Sequence, residues 1–160
     1  MADLHDRTFD RIATLMYQSI GLHLGAGKKS LVSSRLAPRI QRLGLAGFDD
    51  YLQLIDSGDD AGEFQMAVDL LTTNETYFFR EPAHFELLER ELCSRPKGPL
   101  AVWSAASSFG DEAYSCAMLM SDLERVGRIA PDWKILGTDI SDRVLRSAMQ
   151  AVYPVDRLRH

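Results

Sequence analysis

The feature that most limits the fold is an alternation of apolar runs and helical patterns after residue 98. The run PLAVWS is short and apolar, as a buried strand is, and the run at residues 133–138 is a second strand-like run. Helical patterns follow both runs, over residues 111–126 and from a Ser141 cap to about residue 152. Because alternating strands and helices build parallel strands joined by crossover helices, this half is predicted to be an α/β domain.

The first 71 residues carry helical patterns alone. Apolar residues recur there at steps of three and four, the spacing of one helix face; they are Phe9, Ile12, Leu15, Met16 and Ile20. Further helices are predicted over residues 28–43, 48–55 and from about 60 to 71. We therefore expect an all-α domain over residues 1–71 and an α/β domain over residues 72–160, which begins with a helix over about 82–93.

Local signals predict where these helices start, stop or bend. Pro38 lies inside the second predicted helix, where a proline removes a backbone hydrogen bond, so a kink or an interruption is expected near Ala37. Gly44 suits the C-terminal cap of that helix. Asp59 or Asp60 is expected to cap the fourth helix.

Composition and charge exclude several classes of function. A net charge of −5 on 160 residues argues against a general binder of nucleic acid or other polyanions. Cys93 and Cys116 have neither metal-ligand spacing nor a disulfide framework, so no metal site is expected. The N-terminus lacks a signal-peptide pattern, and no stretch approaches the roughly 20 apolar residues of a membrane span. We therefore expect a reduced, cytoplasmic protein without direct membrane insertion.

Candidate ligand-binding residues stand at the ends of the two predicted strands. In open α/β sheets, ligands bind outside the carboxyl ends of the strands. The first strand leads into the small residues of 105–110, and the second ends at Asp139, whose carboxylate suits a ribose diol. Asp139 is equally explained as a helix cap or loop acid, and Glu112 alone is better explained as a first-turn acid that favours the helix dipole. The chain has no G-x-G-x-x-G motif, which argues against a nicotinamide-dependent dehydrogenase.

Two basic features suggest contacts with acids. Arg80 ends the polar and aromatic segment TTNETYFFR and suits a carboxylate partner, although the segment is equally explained as a domain junction. Four basic residues follow steps of seven, four and three, which place them on one face of the second helix; they are Lys28, Arg35, Arg39 and Arg42. Such a face either meets an acidic partner or is simply solvated, and the pattern alone favours the solvated face.

Four segments together resemble one known protein family. They are KKSLVSSRLAPRIQRLGL with GFDDYLQLI, TTNETYFFREPAHFELL, VWSAASSFGDEAYSCAML and ILGTDISDRVLRSAMQAVYP. From about Ile20 to Tyr153, the chain is similar to the CheR family of chemoreceptor glutamate methyltransferases. The second and third segments are the specific ones.

The resemblance implies a fold, a cofactor and a set of binding residues. The fold would be a helical bundle followed by a doubly wound, Rossmann-like parallel sheet of the class I methyltransferases, incomplete in this chain. The cofactor would be S-adenosyl-L-methionine, with S-adenosyl-L-homocysteine as its product. Its pocket would be lined by Asn74, Thr76, Arg80, Glu112 and Asp139. Asp139 would bind the ribose hydroxyls, and Arg80 would be the catalytic residue near the reacting methyl group.

The same resemblance implies a reaction and a partner. A receptor glutamate oxygen would attack the sulfonium methyl group to give a glutamyl methyl ester, and no strong base is needed because carboxylates are ionised at neutral pH. Arg35, Arg39 and Arg42 would bind the acidic methylation helices of bacterial chemoreceptors, which act in chemotaxis signal transduction. On this hypothesis Arg39→Glu weakens receptor binding and leaves cofactor binding unchanged.

Two departures from the family pattern matter. Phe109 stands where the family usually has threonine, which puts a bulkier side chain beside the expected cofactor, and Ala113 replaces a proline. The family's sheet also continues with further strands, so we expect a fragment, a truncated product or half of a strand-exchanged homodimer, since two strands leave an open edge to which another chain can add. The alternative function is a non-catalytic module that binds a receptor or another regulator of chemotaxis-type signalling.

Overall fold

The structure, a computed structural model, describes residues 3–58 and 60–155. Its chain divides into two compact units, Met1–Thr73 and Asn74–His160, and each unit is described by itself. Asp59, one of the two expected caps, and His160, the last residue of the sequence, lie outside the described residues. Within the described ranges no helix is both long enough and apolar enough to cross a membrane.

The first unit is all-α. Its helices are α1 (Asp6–Ile20), α2 (Lys29–Arg42), α3 (Phe48–Asp56) and α4 (Ala61–Leu71), with a short 3₁₀ turn at Ala26–Lys28. Apolar residues from every one of these helices form its core. Ile12 and Met16 of α1, Leu36 of α2, Leu52 of α3 and Leu71 of α4 are each at most 2% exposed. Burying a side chain of this size contributes about 1.5–3 kcal/mol, so the predicted apolar faces are what holds the unit together.

The second helix differs from expectation at its proline. α2 continues without a break through Pro38, so the interruption expected near Ala37 is not present. Pro38 is exposed, whereas Ala37 and Ile40 beside it are buried in the core. The carbonyl that loses its hydrogen bond belongs to Ser34, which is also exposed, so water can replace the missing donor. The packing of the buried neighbours therefore outweighs the local penalty of proline.

The second unit alternates helices and strands as predicted. Its elements are α5 (Pro82–Ser94), β1 (Leu100–Ala105), α6 (Asp111–Arg125), β2 (Trp133–Thr138) and α7 (Asp142–Gln150). β1 and β2 are parallel neighbours, and their register runs from Leu100 beside Trp133 to Ala105 beside Thr138. The prediction of an α/β fold with an all-α first domain is thus confirmed, with a sheet of two strands in the described residues.

The two faces of this sheet differ. On one face, Val102 and Ile135 pack with the buried residues Leu92 and Met120 of α5 and α6. On the other face, Trp103 and Leu136 are paired across the strands, yet they are 69% and 60% exposed. Trp103 donates its indole N–H to the Thr138 hydroxyl at 2.9 Å, which ties the ring to the neighbouring strand. The described part of the chain therefore covers one face of the sheet and leaves an apolar face open.

Helix ends follow most of the local signals. Gly44 follows α2 with a φ of 69°, the left-handed conformation expected of a C-terminal cap. Asp60 caps α4, because its carboxylate accepts a hydrogen bond from the Glu63 backbone N–H at 3.0 Å. Ser141 stands at the N-cap of α7, but its hydroxyl makes no capping hydrogen bond. Asp139 accepts the Ser141 backbone N–H instead, at 2.9 Å.

Candidate functional site

A cleft of about 260 Å³ lies where the carboxyl end of β1 meets the segment before α5. Three of the predicted site residues line it together: Thr76, Arg80 and Glu112. The loop residues 106–108 form another part of its wall. Parallel strands place their ligands at this edge of the sheet, so the cleft stands where the sequence predicts a binding site.

Glu112 is held at the cleft by a buried residue of the strand. The Ser104 hydroxyl, which is almost fully buried in β1, donates to Glu112 Oε1 at 2.6 Å. Glu112 belongs to the first turn of α6, where a carboxylate also favours the helix dipole. Glu112 is exposed and lines the cleft, and one of its carboxylate oxygens is oriented by the protein. The two explanations of Glu112, helix acid and ligand-facing carboxylate, are therefore compatible.

Asp139 anchors the loop that forms the cleft wall. Its Oδ2 accepts the Ser108 backbone N–H at 2.8 Å, and its Oδ1 accepts the Ser141 backbone N–H at 2.9 Å. A carboxylate has about four lone-pair sites, so each oxygen can still accept a ligand hydroxyl. Asp139 does not line the cleft itself but is joined to it through Ser108.

The loop after β1 adopts a strained conformation around the cleft. Ala106 and Ser108 have φ values of 60° and 51°, which cost roughly 1–2 kcal/mol each for residues with a Cβ. Several hydrogen bonds compensate this cost. Ser107 donates its N–H to the Thr138 carbonyl at 2.8 Å, and the Ser108 hydroxyl donates to the Asn74 carbonyl at 3.1 Å. Asn74, the fifth predicted site residue, is thereby fixed beside the same loop.

Arg80 stands on the opposite wall. One Nη1 N–H donates to the Glu75 carbonyl at 2.8 Å, and the guanidinium carbon lies 5.9 Å from the Tyr77 ring centroid. Arginine has five N–H donors, so this bond leaves most of the guanidinium N–H groups for another partner. The segment is pinned nearby, because Phe79 donates its N–H to the buried Ser115 hydroxyl at 2.9 Å. Arg80 is exposed and positioned, as a residue that meets an anionic ligand group would be.

Phe109 does not enter the cleft wall. Its ring lies beneath the Arg143 guanidinium of α7, with 5.5 Å between the guanidinium carbon and the ring centroid. The Tyr153 hydroxyl donates to the Phe109 carbonyl at 2.6 Å. Phe109 is not among the residues that line the cleft, so its bulk is directed towards α7 rather than into the cleft.

The described residues offer neither a nucleophilic thiol nor a metal centre near the cleft. Burial raises the pKa of the Cys116 thiol, and the Glu112 carboxylate raises it further. A raised pKa leaves less thiolate at neutral pH, so Cys116 is a poor nucleophile. Across residues 3–58 and 60–155, no group of three or more acidic, histidine or cysteine residues is placed to hold a metal ion.

In the helical unit, Arg39 takes part in a buried polar network. Its Nε donates to Glu63 Oε1 at 3.0 Å, and its Nη2 pairs with Glu63 Oε2. The Tyr51 hydroxyl donates to Glu63 Oε1 at 2.8 Å, although Tyr51 is fully buried. The hydrogen bond to Glu63 raises the pKa of Arg39, and burial, followed by the bond to Glu63, raises the pKa of Tyr51.

Arg35 also has partners inside the helical unit. Its Nη1 donates to three carbonyls at the end of α4, those of Leu70, Leu71 and Thr72, at 3.0–3.3 Å. A guanidinium placed there caps the helix and favours its dipole. Arg42, at the end of α2, is exposed. Of the three arginines predicted to bind a substrate, Arg35 and Arg39 thus have structural partners, and their binding role stays a prediction.

Sequence patterns did not identify several residues that build the cleft. Ser104, which holds Glu112 in place, was not predicted, whereas Ser108, which donates its N–H to Asp139, lies in the predicted run of small residues 105–110. Tyr77 and His84 line the cleft as well, on the side of α5. Their position depends on how residues 75–85 fold back towards the strand end, which no local pattern reveals.

Two family models match the chain, and together they cover most of it. The model described as "CheR methyltransferase, all-alpha domain" matches residues 7–72. The model described as "CheR methyltransferase, SAM binding domain" matches residues 74–160. The second match includes every residue of the cleft, together with Asn74 and Asp139.

Three curated chemotaxis protein methyltransferases are similar to this chain over most of its length. A chemotaxis protein methyltransferase of Escherichia coli strain K12 is 41% identical over 157 residues, which is 98% of this chain and 54% of the relative. A protein of the same description from Vibrio parahaemolyticus is 34% identical over 154 residues, 94% of this chain and 56% of the relative. One from Borreliella burgdorferi is 31% identical over 156 residues, 92% of this chain and 55% of the relative. The chain therefore spans about half the length of the curated relatives it matches.

Proposed function

We propose that this chain, which belongs to the CheR methyltransferase family, acts in the methylation of glutamate side chains on bacterial chemoreceptors, with S-adenosylmethionine as methyl donor. Its activity would be that of a cytoplasmic protein-glutamate O-methyltransferase. The observation that carries the proposal is the cleft at the carboxyl end of β1, which brings Thr76, Arg80 and Glu112 together in the part of the chain that matches the SAM-binding domain.

The residues of the cleft fit the chemistry of the donor. S-adenosylmethionine has an anionic carboxylate, cationic ammonium and sulfonium groups, and a ribose diol. Arg80 offers N–H donors to an anion, and Glu112 offers a carboxylate oxygen to a cation or hydroxyl. Asp139 retains lone pairs beside the loop, and the small residues 106–108 allow a ligand to approach the backbone closely. Both signs of charge in the ligand thus find a partner in this unit.

The chain's own task is to bind and align, because the donor supplies an electrophilic methyl group when it is bound. A glutamate side chain is already ionised at neutral pH, so the site needs no strong base. Alignment of two reactants can supply roughly 7–11 kcal/mol of rate enhancement. We assign this alignment to Arg80 as the catalytic residue at the methyl end, and cofactor binding to Asn74, Thr76, Arg80, Glu112 and Asp139.

We further propose that residues 1–71 face the receptor and that residues 72–160 form the methyltransferase part. Arg35, Arg39 and Arg42 are the candidates for binding acidic receptor helices. Since Arg35 and Arg39 hold α4 and Glu63, the exposed Arg42 is the residue whose substitution tests this role most cleanly.

Calorimetric titration with S-adenosylhomocysteine tests the cofactor proposal. We expect micromolar binding by the wild-type chain and a loss of at least about tenfold in Glu112→Gln, since hydrogen bonds to charged groups are worth about 1.5–3 kcal/mol. Glu91→Gln, on the exposed surface of α5 outside the cleft, is the matched control and is expected to bind like wild type. Transfer of a labelled methyl group to a receptor fragment tests the reaction itself.

A second candidate is a non-catalytic module that binds a receptor or another regulator of chemotaxis. The exposed pair Trp103 and Leu136 favours it, because an open apolar sheet face is a surface to which another polypeptide can bind. The same titration separates the two candidates. An absence of S-adenosylhomocysteine binding would contradict the methyltransferase proposal and leave the binding module.

A further inference from the structure

A histidine lies on the α5 side of the cleft. It has no role in the fold and none among the proposed cofactor contacts. His84 lies in the first turn of α5 and lines the same cleft as Arg80 and Glu112. Its backbone is fixed, because its N–H donates to the Glu81 carbonyl at 2.9 Å. The side chain is exposed, so packing does not explain why an imidazole stands there.

Most of the charged residues that line the cleft with His84 are acidic. Glu75, Glu81 and Glu112 line it and are acidic, and Arg80 is the other basic residue besides His84 in its described lining. A carboxylate that approaches the cleft is repelled by three acids, so it needs donors at the point where it enters. Arg80 already donates one N–H to the Glu75 carbonyl. An imidazole N–H in the first turn of α5 adds a donor at a helix end that favours anions.

An apolar wall stands beside these donors. The rings of Phe79 and Phe85 pack edge to face with 5.2 Å between their centroids, and Phe85 lines the cleft. Phe79 is 40% exposed but does not line the cleft, so Phe85 is the ring of this pair that a ligand in the cleft can contact. A glutamate side chain has an apolar stem of two methylene groups and a carboxylate tip, which matches an aromatic surface next to two basic residues.

We propose that His84 binds the carboxylate of the methyl-accepting glutamate, beside Arg80, and so places its oxygen for reaction. The inference rests on the proposed methyltransferase function and deepens it, because it assigns the acceptor side of the same cleft. His84 donates an imidazole N–H to one carboxylate oxygen, and the Phe85 ring, supported by Phe79, contacts the methylene stem. Neither the fold nor any of the proposed cofactor contacts uses this side chain.

The test measures binding of two helical peptides in the presence of saturating S-adenosylhomocysteine. Both peptides carry acidic residues on one face; one has a glutamate at the central position, and the other has glutamine there. His84→Ala is compared with wild type, with His84→Arg as the variant that keeps a donor, and with Arg90→Ala as a control. Arg90 is an exposed basic residue of the same helix that does not line the cleft.

We expect His84→Ala to weaken binding of the glutamate peptide by roughly three- to tenfold, as for a partly exposed charge-assisted hydrogen bond. Binding of the glutamine peptide should change by less than about twofold, because the difference between the peptides isolates the contact with the carboxylate. His84→Arg should restore part of the loss, and Arg90→Ala should affect both peptides equally. S-adenosylhomocysteine should bind His84→Ala as tightly as wild type.

The outcomes separate this inference from the function on which it rests. If wild type does not bind S-adenosylhomocysteine, the methyltransferase proposal fails, and the acceptor site fails with it. If wild type binds S-adenosylhomocysteine but His84→Ala weakens both peptides equally, or neither, the acceptor role of His84 is overturned alone. The acceptor role of His84 is also overturned if wild type binds neither peptide or does not distinguish between them.

Discussion

The buried network of Arg39, Glu63 and Tyr51 allows a sharp test of how the helical unit is stabilised. Glu63 is only 4% exposed, and the Arg39 side chain is 22% exposed, so their ion pair is largely shielded from water. Arg39→Met keeps the aliphatic stem of the side chain and removes the charge. The substitution leaves the Glu63 carboxylate buried without its cationic partner.

The expected loss of stability follows from what remains around Glu63. Removing one partner of a buried pair typically costs about 3–5 kcal/mol. The Tyr51 hydroxyl still donates to Glu63, and the first turn of α4 still favours a carboxylate by about 0.3–1 kcal/mol. Arg39 is also partly exposed, so water enters more easily than in a closed core. We therefore expect Arg39→Met to lower the free energy of unfolding by about 2–3 kcal/mol.

Urea denaturation followed by far-ultraviolet circular dichroism measures this loss. With a urea dependence of about 1–3 kcal/mol per molar, the midpoint of the variant should fall by about 0.7–3 M. Arg42→Met, on the exposed end of the same helix, is the control and should change the free energy of unfolding by less than about 0.5 kcal/mol. The double variant Arg39→Met, Glu63→Gln buries no unpaired charge. It should therefore recover at least half of the stability that Arg39→Met loses.

Two results would refute this reasoning. One is an Arg39→Met variant as stable as Arg42→Met, which would mean that water solvates Glu63 in the folded protein. The other is a double variant no more stable than Arg39→Met, which would mean that the lost packing of Arg39, and not the unpaired charge, causes the effect.

Three further predictions concern other parts of the chain. Gly110→Ala should destabilise the protein by about 2–4 kcal/mol in thermal unfolding, because φ is 90° and an added Cβ would lie 2.9 Å from Ala148 Cβ and the Tyr153 hydroxyl; Gly127→Ala, with a φ of 71° and open space around it, should cost only about 1 kcal/mol. A thiol reagent at mildly alkaline pH should label the half-buried Cys93 before Cys116, since burial raises the pKa of the Cys116 thiol and leaves little thiolate, and equal labelling rates would contradict this. Arg42→Glu should weaken binding of an acidic receptor peptide without affecting S-adenosylhomocysteine binding, and equal losses in calorimetry with the two ligands would remove Arg42 from the receptor-binding surface.

Much of the second unit was predictable, because its signals are local. β2 is a six-residue strand-like run between polar segments, and its observed bounds, Trp133–Thr138, are those that the pattern predicts. The parallel pairing follows from the intervening helix α6, since a crossover of that length returns the chain in the same direction. The position of Glu112 and Asp139 at one edge of the sheet is a consequence of that topology.

The contacts that the patterns missed depend on tertiary packing. Spacing places Arg35, Arg39 and Arg42 on one face of α2, but only the packing of α4 against α2 brings Glu63 to Arg39. Of the kink or interruption predicted near Ala37, the interruption is absent, because the cost of a proline depends on which side of the helix faces water. His84 carries no periodic signal, since the fold of residues 75–85 brings it to the cleft.

The open face of the sheet carries a tryptophan whose fluorescence can report whether the face is covered. The Trp103 indole lies in water on that face, whereas Trp133 is half-buried and donates its N–H to Glu124. Acrylamide should quench the emission of Trp103 first. Any polypeptide that covers the face would shift this emission to shorter wavelengths and slow the quenching, so a fluorescence spectrum records whether the sheet has gained its second layer.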